Sequence, residues 1–83
     1  MTTDSRDDKV DAEVDALGLL CPLPVLKARK RLLEMAPGAV LRLVASDPAA
    51  IVDMPHFCAQ AGHALLAMEE SAGRVTFLIR RGG

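Results

Sequence analysis

The sequence predicts an α/β (α+β) two-layer sandwich, in which two helices cover one face of a mixed four-stranded sheet. The 83-residue length fits one small domain. The hydrophobic fraction of 51% is enough to fill a single core. The apolar pattern changes period along the chain in the order β-α-β-α-β-β. A strand–helix–strand unit favours parallel pairing through a right-handed crossover, and a final hairpin adds an antiparallel strand.

The first strand and helix follow from the spacing of apolar residues. Residues 1–9 are polar and aperiodic, which predicts a disordered tail before a single domain at residues 10–83. Between residues 10 and 16, apolar and acidic side chains alternate, as in a strand with one buried face. Residues 22–36 contain a helix. Its spacing predicts an apolar face formed by Val25, Leu26, Leu32, Leu33 and Ala36.

The second half of the chain predicts a central strand, a helix and a hairpin. Residues 39–45 are almost continuously apolar, which is typical of a central strand. Asp47 as the N-cap and Pro48 in the first turn predict the start of the second helix. Pro55 predicts a kink or a division into two short helices. Gly62 ends this segment, and residues 63–69 and 74–80 form the hairpin strands.

Charge and composition argue against nucleic-acid binding and membrane insertion. The net charge is −1, and Phe57 and Phe77 are the only aromatic residues, so there is no basic field and no stacking platform. No apolar run approaches the roughly 18 residues of a membrane span. The acidic N-terminus does not resemble a signal peptide. We therefore expect a cytoplasmic protein whose two cysteines are free thiols.

The segment from Leu20 to Pro24 carries the chemistry. It predicts Cys21 as the N-cap of the first helix, with Pro22 at the first helical position. Because Pro24 lacks an N–H, Leu23 N–H is the expected donor to the sulfur. The positive end of the helix dipole would lower the pKa of the thiol, which predicts an exposed, reactive thiolate. The alternative is a small, inert core residue, as most free cysteines are.

Two groups of residues near Cys21 are candidates for docking a partner protein. Leu19 and Leu20 flank the thiol, either as core residues or as an exposed apolar rim. Lys27, Lys30 and Arg31 lie on the helix that follows Cys21. They form either a solvated face or a surface for an acidic partner.

Structural roles are predicted for the second cysteine and the two histidines. Cys58 lies in the middle of the second helix and is expected to be a buried thiol. His56 and His63 have no spacing typical of metal ligands, so no metal site is predicted.

The assembled pattern resembles the TusA/SirA-like family of small sulfur-transfer proteins. Cys-Pro-Leu-Pro at residues 21–24 is the specific signature, and the likeness extends over residues 10–83. The supporting segments are residues 15–19, the basic stretch 27–31, Asp47-Pro48, residues 53–58, Gly62-His63 and residues 78–83.

This resemblance implies a fold and an activity. The fold would be a two-layer α/β sandwich, and the activity that of a sulfurtransferase without a cofactor. The cysteine matching Cys21 would accept sulfane sulfur as a persulfide from a cysteine desulfurase. It would pass the sulfur to a protein thiol, with a TusD/DsrE-like protein as acceptor, in a relay to tRNA 2-thiouridine or in related sulfur trafficking. We expect a monomer.

Two other functions remain open from the sequence. The ending Gly82-Gly83 also occurs in ubiquitin-like carriers, which bear sulfur as a terminal thiocarboxylate. Those β-grasp proteins open with a hairpin, whereas this chain predicts strand, helix, strand. The second alternative is a non-catalytic regulatory binding module in which Cys21 is a plain helix cap.

Overall fold

The secondary-structure elements follow one another in the predicted order. The computed structural model describes residues 10–83, so the expected disordered tail at residues 1–9 lies outside the described residues. The elements are β1 (Ala12–Ala16), α1 (Leu23–Leu33), β2 (Val40–Ala45), α2 (Ala50–Ala61), β3 (Ala64–Ser71) and β4 (Arg74–Arg80).

The four strands form one mixed sheet in the order β1-β2-β4-β3. β1 pairs with β2 in parallel, as the strand–helix–strand unit predicts. β4 pairs antiparallel with both β2 and β3, so the last strand of the chain lies in the interior of the sheet. The predicted mixed four-stranded sheet is therefore confirmed.

The core lies between the helices and one face of the sheet. Leu41 and Leu43 of β2 pair with Ile79 and Phe77 of β4, and all four side chains are fully buried. Because side chains alternate along a strand, these four point to the same face, on which α1 and α2 pack. The opposite face of the sheet carries the intervening residues, among them the exposed Arg42.

The buried face of α1 differs from the predicted one. Pro24, Ala28 and Leu32, spaced four residues apart, are buried, whereas Leu33 is 63% exposed and Leu26 is also exposed. The prediction weighed hydrophobicity alone. Where a helix lies directly on a sheet, the small side chain of Ala28 permits a closer approach than a leucine does, and this sets the rotation of the helix.

α2 runs without interruption through Pro55, so of the two predicted alternatives, a kink or a division into two short helices, the division is wrong. Ala50, Met54 and Cys58 are buried on both sides of the proline and hold the helix against the sheet. This packing compensates for the N–H that proline lacks. Gly62 ends the helix as predicted, with a left-handed φ of 81° and its N–H donating to Cys58 O.

A two-residue turn connects β3 and β4 in a hairpin. Ala72 and Gly73 both have positive φ values, 53° and 78°, as the tight turns that match strand twist require. No helix within residues 10–83 has the length and apolar character that a membrane crossing requires.

The residues after β4 are held against both helices. Arg81 Nε donates to Leu32 O at 2.7 Å, at the end of α1. Gly82 N–H donates to His63 Nδ1 at 2.9 Å, just beyond the end of α2. A side chain at residue 82 would overlap the carbonyl oxygen of Gly62. The chain from Arg81 to Gly82 is therefore packed structure.

Candidate functional site at Cys21

The site is built from two loops that leave the same edge of the sheet. Because β1 and β2 are parallel, the loops that follow them (residues 17–22 and 46–49) emerge side by side. Gly18 N–H donates to Ser46 Oγ at 2.8 Å, and Cys21 N–H donates to Asp47 Oδ2 at 2.6 Å. The loop after β2 thus holds the backbone of the loop that carries the thiol.

Asp47 acts on both loops at once. Besides Cys21 N–H, its carboxylate accepts Ala49 N–H at 3.0 Å through Oδ1. The turn at residues 48–49 separates Asp47 from α2, so the predicted N-cap role is displaced by two residues, and Ala49 is the residue preceding the helix. The carboxylate stabilises the turn that leads into the helix.

Cys21 lies one residue further from α1 than predicted. It is exposed, the Cys21–Pro22 peptide bond is cis, and Pro22 rather than Cys21 is the N-cap. Leu23 N–H donates to Leu20 O at 2.8 Å, so the expected bond from Leu23 to the sulfur is absent. Pro24 is buried and occupies the second helical position. At the start of α1, Leu23 and Leu26 N–H donate to backbone carbonyls, those of Leu20 and Pro22.

The sulfur instead faces the first turn of α2. Cys21 Sγ donates to Asp53 Oδ2 at 2.9 Å, a contact between residues 32 positions apart in the chain. Asp53 is half-buried. Two aspartates therefore hold Cys21, Asp47 through its backbone N–H and Asp53 through its thiol.

These contacts raise the pKa of the Cys21 thiol above its ordinary value, opposite to the predicted direction. The largest cause is the hydrogen bond to Asp53, with further contributions from desolvation and from the negative charges of Asp53 and Asp47. A carboxylate only accepts hydrogen bonds, so the sulfur must keep its proton to make this one. The carboxylate charges outweigh the helix dipole that the prediction invoked.

The two predicted docking groups differ in their exposure. Leu20 is 69% exposed beside the thiol, whereas Leu19 is half-buried and packs against the core. Leu23 is also exposed, as is Val52, which precedes Asp53 on α2. An apolar rim therefore flanks the thiol on both of the elements that form the site.

The basic residues of α1 are partly engaged within the chain. Lys27 Nζ donates to Asp15 O at 3.2 Å, and Arg31 pairs with Glu34 at 3.2 Å. Lys30 lines a shallow groove with both of them, along with acidic residues of β1. Opposite charges in this groove reduce its net positive field.

Cys58 and His63 lie apart from this site. Cys58 is 2% exposed within the core, and burial raises the pKa of its thiol. His63 contacts the ring of Phe57, with centroids 5.6 Å apart. Within residues 10–83, no three His, Cys, Asp or Glu side chains are grouped as metal ligands.

Asp53 is the residue beside the thiol that local sequence patterns missed. The sequence analysis gives it no role beside the thiol, since nothing near Cys21 in the sequence indicates it. The predicted sheet topology could have indicated it. Because β1 and β2 are parallel, the segments that follow them lie at the same edge of the sheet, so the start of α2 lies near the start of α1.

Comparison with known proteins places this chain in a family. The family model described as sulfurtransferase TusA matches residues 12–81, which include Cys21, Asp47 and Asp53. The chain belongs to the TusA family. Membership makes it one of a family of sulfur carriers, and carrying sulfur implies interaction with a donor and an acceptor protein.

Individual TusA relatives cover nearly the whole chain. The sulfur carrier protein TusA of Pseudomonas entomophila is 45% identical over 71 residues, which are 86% of this chain and 89% of that protein. The sulfur carrier protein TusA of Allochromatium vinosum is 44% identical over 71 residues, 86% of this chain and 93% of its own length.

A solved structure shares the TusA-type fold. The crystal structure of a SirA-like protein from Desulfitobacterium hafniense superposes with a TM-score of 0.75 and 26% sequence identity. The match covers 87% of this chain and 99% of that one. The predicted α+β sandwich is confirmed by this similarity as well as by the order of the strands.

Proposed function

We propose that the protein is a sulfurtransferase that carries sulfane sulfur as a persulfide on Cys21. The observation that carries this proposal is the exposure of the Cys21 thiol, on a loop pinned at the edge of the sheet, within the part of the chain that matches a sulfur-carrier family. Cys58 is buried and does not compete for a protein donor.

The transfer is thiol exchange at sulfur. The sulfur of Cys21 attacks the terminal sulfur of the donor's persulfide, a new S–S bond forms as the donor's S–S bond breaks, and the donor's cysteine leaves as a thiolate that takes up the proton of the Cys21 thiol. The thiolate of the acceptor then attacks the outer sulfur of the Cys21 persulfide in the same way. Each step moves one sulfur atom with no net oxidation, so no cofactor is required.

The donor in this proposal is a cysteine desulfurase, and the acceptor is a TusD/DsrE-like protein. The relay would serve tRNA 2-thiouridine or related sulfur trafficking in the cytoplasm. The active species is a monomer formed by residues 10–83. Its macromolecular partners are proteins, with no direct binding of nucleic acid and no membrane attachment.

Docking of these proteins is proposed at the apolar rim around the thiol. Leu20 and Leu23 are exposed on one side and Val52 on the other, where an approaching protein would exclude water from them. Leu19 packs on the core next to this rim in the sequence, so it anchors the loop rather than contacting the partner. Lys27, Lys30 and Arg31 would extend the contact along α1.

The thiocarboxylate alternative has less support. A carrier of that kind presents a free Gly-Gly end, whereas Gly82 packs against Gly62 and donates to His63. The order of strands also matches a SirA-like protein rather than a β-grasp fold. If the protein were a non-catalytic regulatory module, the exposed thiol of Cys21 would have no role, although the chain belongs to a sulfur-carrier family.

Sulfur loading tests the proposal directly. The protein is incubated with a cysteine desulfurase, cysteine and pyridoxal phosphate, and its intact mass is measured without reductant. We expect a gain of one sulfur atom that maps to the peptide containing Cys21. Cys21→Ser should not load, whereas Cys58→Ser is the matched control and should load like the unaltered protein.

Two results would contradict the proposal. One is loading of Cys21→Ser that disappears when Gly82 and Gly83 are deleted, which would establish the thiocarboxylate mechanism. The other is the absence of loading in every variant while a known TusA protein loads in the same assay, which would favour the regulatory module.

A further inference from the structure

Asp53 is bonded to the thiol and to no cation within residues 10–83. Its Oδ2 accepts the Cys21 thiol at 2.9 Å. The ion pairs within residues 10–83 are Arg31 with Glu34 and Arg42 with Glu13, and neither involves Asp47 or Asp53. The negative charge beside the sulfur is therefore uncompensated in the part of the chain that the structure describes.

The charged groups that face the sulfur come from two adjacent segments. Asp47 lies in the loop before α2, and Asp53 lies on the first turn of α2. The loop that carries Cys21 contributes no charge of its own. The first cation of α1, Lys27, is directed to the carbonyl oxygen of Asp15. His56, the next ionisable residue of α2, is exposed one turn beyond Asp53.

We propose that Asp53 is a positioning residue that keeps the unloaded Cys21 thiol protonated until a cationic side chain of the sulfur donor pairs with its carboxylate. This inference rests on the proposed persulfide function and concerns how that same site is activated. The partner it specifies presents a lysine or arginine next to its own persulfide, with apolar residues to meet Leu20 and Val52.

The activation step balances without a further reactant. When the donor's cation pairs with the Asp53 carboxylate, that oxygen becomes a poorer acceptor and the thiol proton is released to the cysteine sulfur leaving the donor. The sulfur of Cys21 bonds to the donor's terminal sulfur as the donor's S–S bond breaks. One persulfide and one thiol are consumed, and one persulfide and one thiol are formed.

The same geometry suppresses reactions away from the partner. A thiolate, not a thiol, attacks disulfides and is oxidised. The carboxylate of Asp53 therefore holds an exposed cysteine in its less reactive form. The raised pKa of Cys21 agrees with this arrangement.

The first test is the pH profile of Cys21 alkylation by iodoacetamide, with the modified peptide identified by mass spectrometry. In Asp53→Asn, the midpoint of the profile should move to lower pH. The rate at pH 7 should rise about threefold for each pH unit of that movement, because the larger thiolate fraction is partly offset by lower nucleophilicity. Glu69→Gln removes the same charge from an exposed position on β3 and should leave the profile unchanged.

The second test asks whether Cys21 reacts faster with a positively charged disulfide than with a negatively charged one. Exchange of Cys21 with cystamine, a dicationic disulfide, is compared at low salt with exchange with dithiodipropionate, a dianionic one. The rate with cystamine divided by the rate with dithiodipropionate should fall several-fold in Asp53→Asn. The same ratio should stay constant in Glu69→Gln. Asp53→Ala repeats both measurements with the acceptor removed, in case the asparagine forms a new bond to sulfur.

The proposal is overturned if the alkylation midpoint is the same in the unaltered protein and both Asp53 variants, or if the rate ratio does not change. Thermal unfolding of each variant establishes that it is folded. These assays use the unloaded thiol and small probes, so they succeed or fail independently of sulfur loading by a desulfurase.

Discussion

His63 joins the end of α2 to the residues that follow β4. Its Nδ1 accepts Gly82 N–H at 2.9 Å, which requires that this nitrogen carry no proton. Burial lowers the pKa of His63 below 6.5, and the nearby positive charge of Arg81 lowers it further. A neutral ring is therefore part of the folded structure.

This contact predicts a pH-dependent stability. Below pH 6.5 the unfolded chain binds a proton at this histidine more readily than the folded one, so the free energy of unfolding falls as pH decreases from 6.5 toward the lower folded pKa. Above pH 6.5 the neutral His63 makes its full contribution to the free energy of unfolding. When the pH is lowered from 7.5 to 5.5, the Tm of the unaltered protein should decrease by more than the Tm of His63→Asn. Thermal unfolding followed by circular dichroism at both pH values measures the two decreases.

The exposed His56 provides the matched control. His56→Asn should show the same pH-dependent loss of Tm as the unaltered protein, because it leaves the bond between His63 and Gly82 in place. Equal losses in the unaltered protein and His63→Asn would mean that the His63–Gly82 contact does not contribute to stability.

At the site, the sequence located the thiol but not its environment. The proline-flanked segment marks Cys21, since the features that expose it are all within a few residues. The proton state of the sulfur depends on Asp53, whose distance from Cys21 is fixed by sheet topology rather than by local spacing. A helix-dipole argument alone therefore gave the wrong direction for the pKa.

At the scale of elements, the rotation of α1 decides which leucines stabilise the fold. Leu32 is fully buried in the core, whereas its neighbour Leu33 is largely exposed. The main chain of Leu32 is engaged as well, because its carbonyl accepts Arg81 Nε. These two adjacent residues thus have the same side chain in opposite environments.

The pair gives a direct test of this rotation. Leu32→Ala should lower the free energy of unfolding by about 2–5 kcal/mol, through lost burial and the cavity left behind. Leu33→Ala should change it by no more than about 0.5 kcal/mol, as exposed substitutions do. Urea denaturation of both variants measures the difference. Similar losses would show that the helix is rotated toward the face predicted from hydrophobicity.

The element order was predictable because periodicity changes sharply at each boundary. Alternation over β1, the apolar run of β2 and Gly62 at the end of α2 each indicated the observed element. Two details depended on tertiary packing. The close approach of Ala28 to the sheet set the α1 face, and burial of Met54 and Cys58 carried α2 past Pro55.

At the scale of the whole molecule, the residues after β4 connect the two layers. Arg81 N–H donates to Ala39 O and its carbonyl accepts Gly38 N–H, while its side chain reaches the end of α1. Gly82 then lies against the end of α2. These contacts close the end of the sandwich furthest along α1 from Cys21.

Substitution at Gly82 should open this end. Gly82→Ala introduces an overlap with the Gly62 carbonyl oxygen and should destabilise the protein by about 1–3 kcal/mol. Hydrogen exchange at Gly38 and Arg81 should accelerate more than exchange in the core. Gly73→Ala is the comparison, since its added Cβ meets no atom within 4 Å and its cost comes from the positive φ alone.

In Gly73→Ala, the amides of Gly38 and Arg81 should follow the global loss of stability without an extra local increase. If Gly82→Ala exchanges no faster at these two amides than Gly73→Ala does, the C-terminal contacts do not hold this end closed.

The interior position of β4 also has a consequence for synthesis on the ribosome. The chain emerges N-terminus first, so the loop with Cys21, both aspartates and both helices are made before the strand that separates β2 from β3. Until residues 74–80 emerge, β2 lacks one neighbour and the core lacks Phe77 and Ile79. A nascent chain therefore exposes its thiol before its surface is folded, and the emergence of β4 completes the folded surface that a partner protein would recognise.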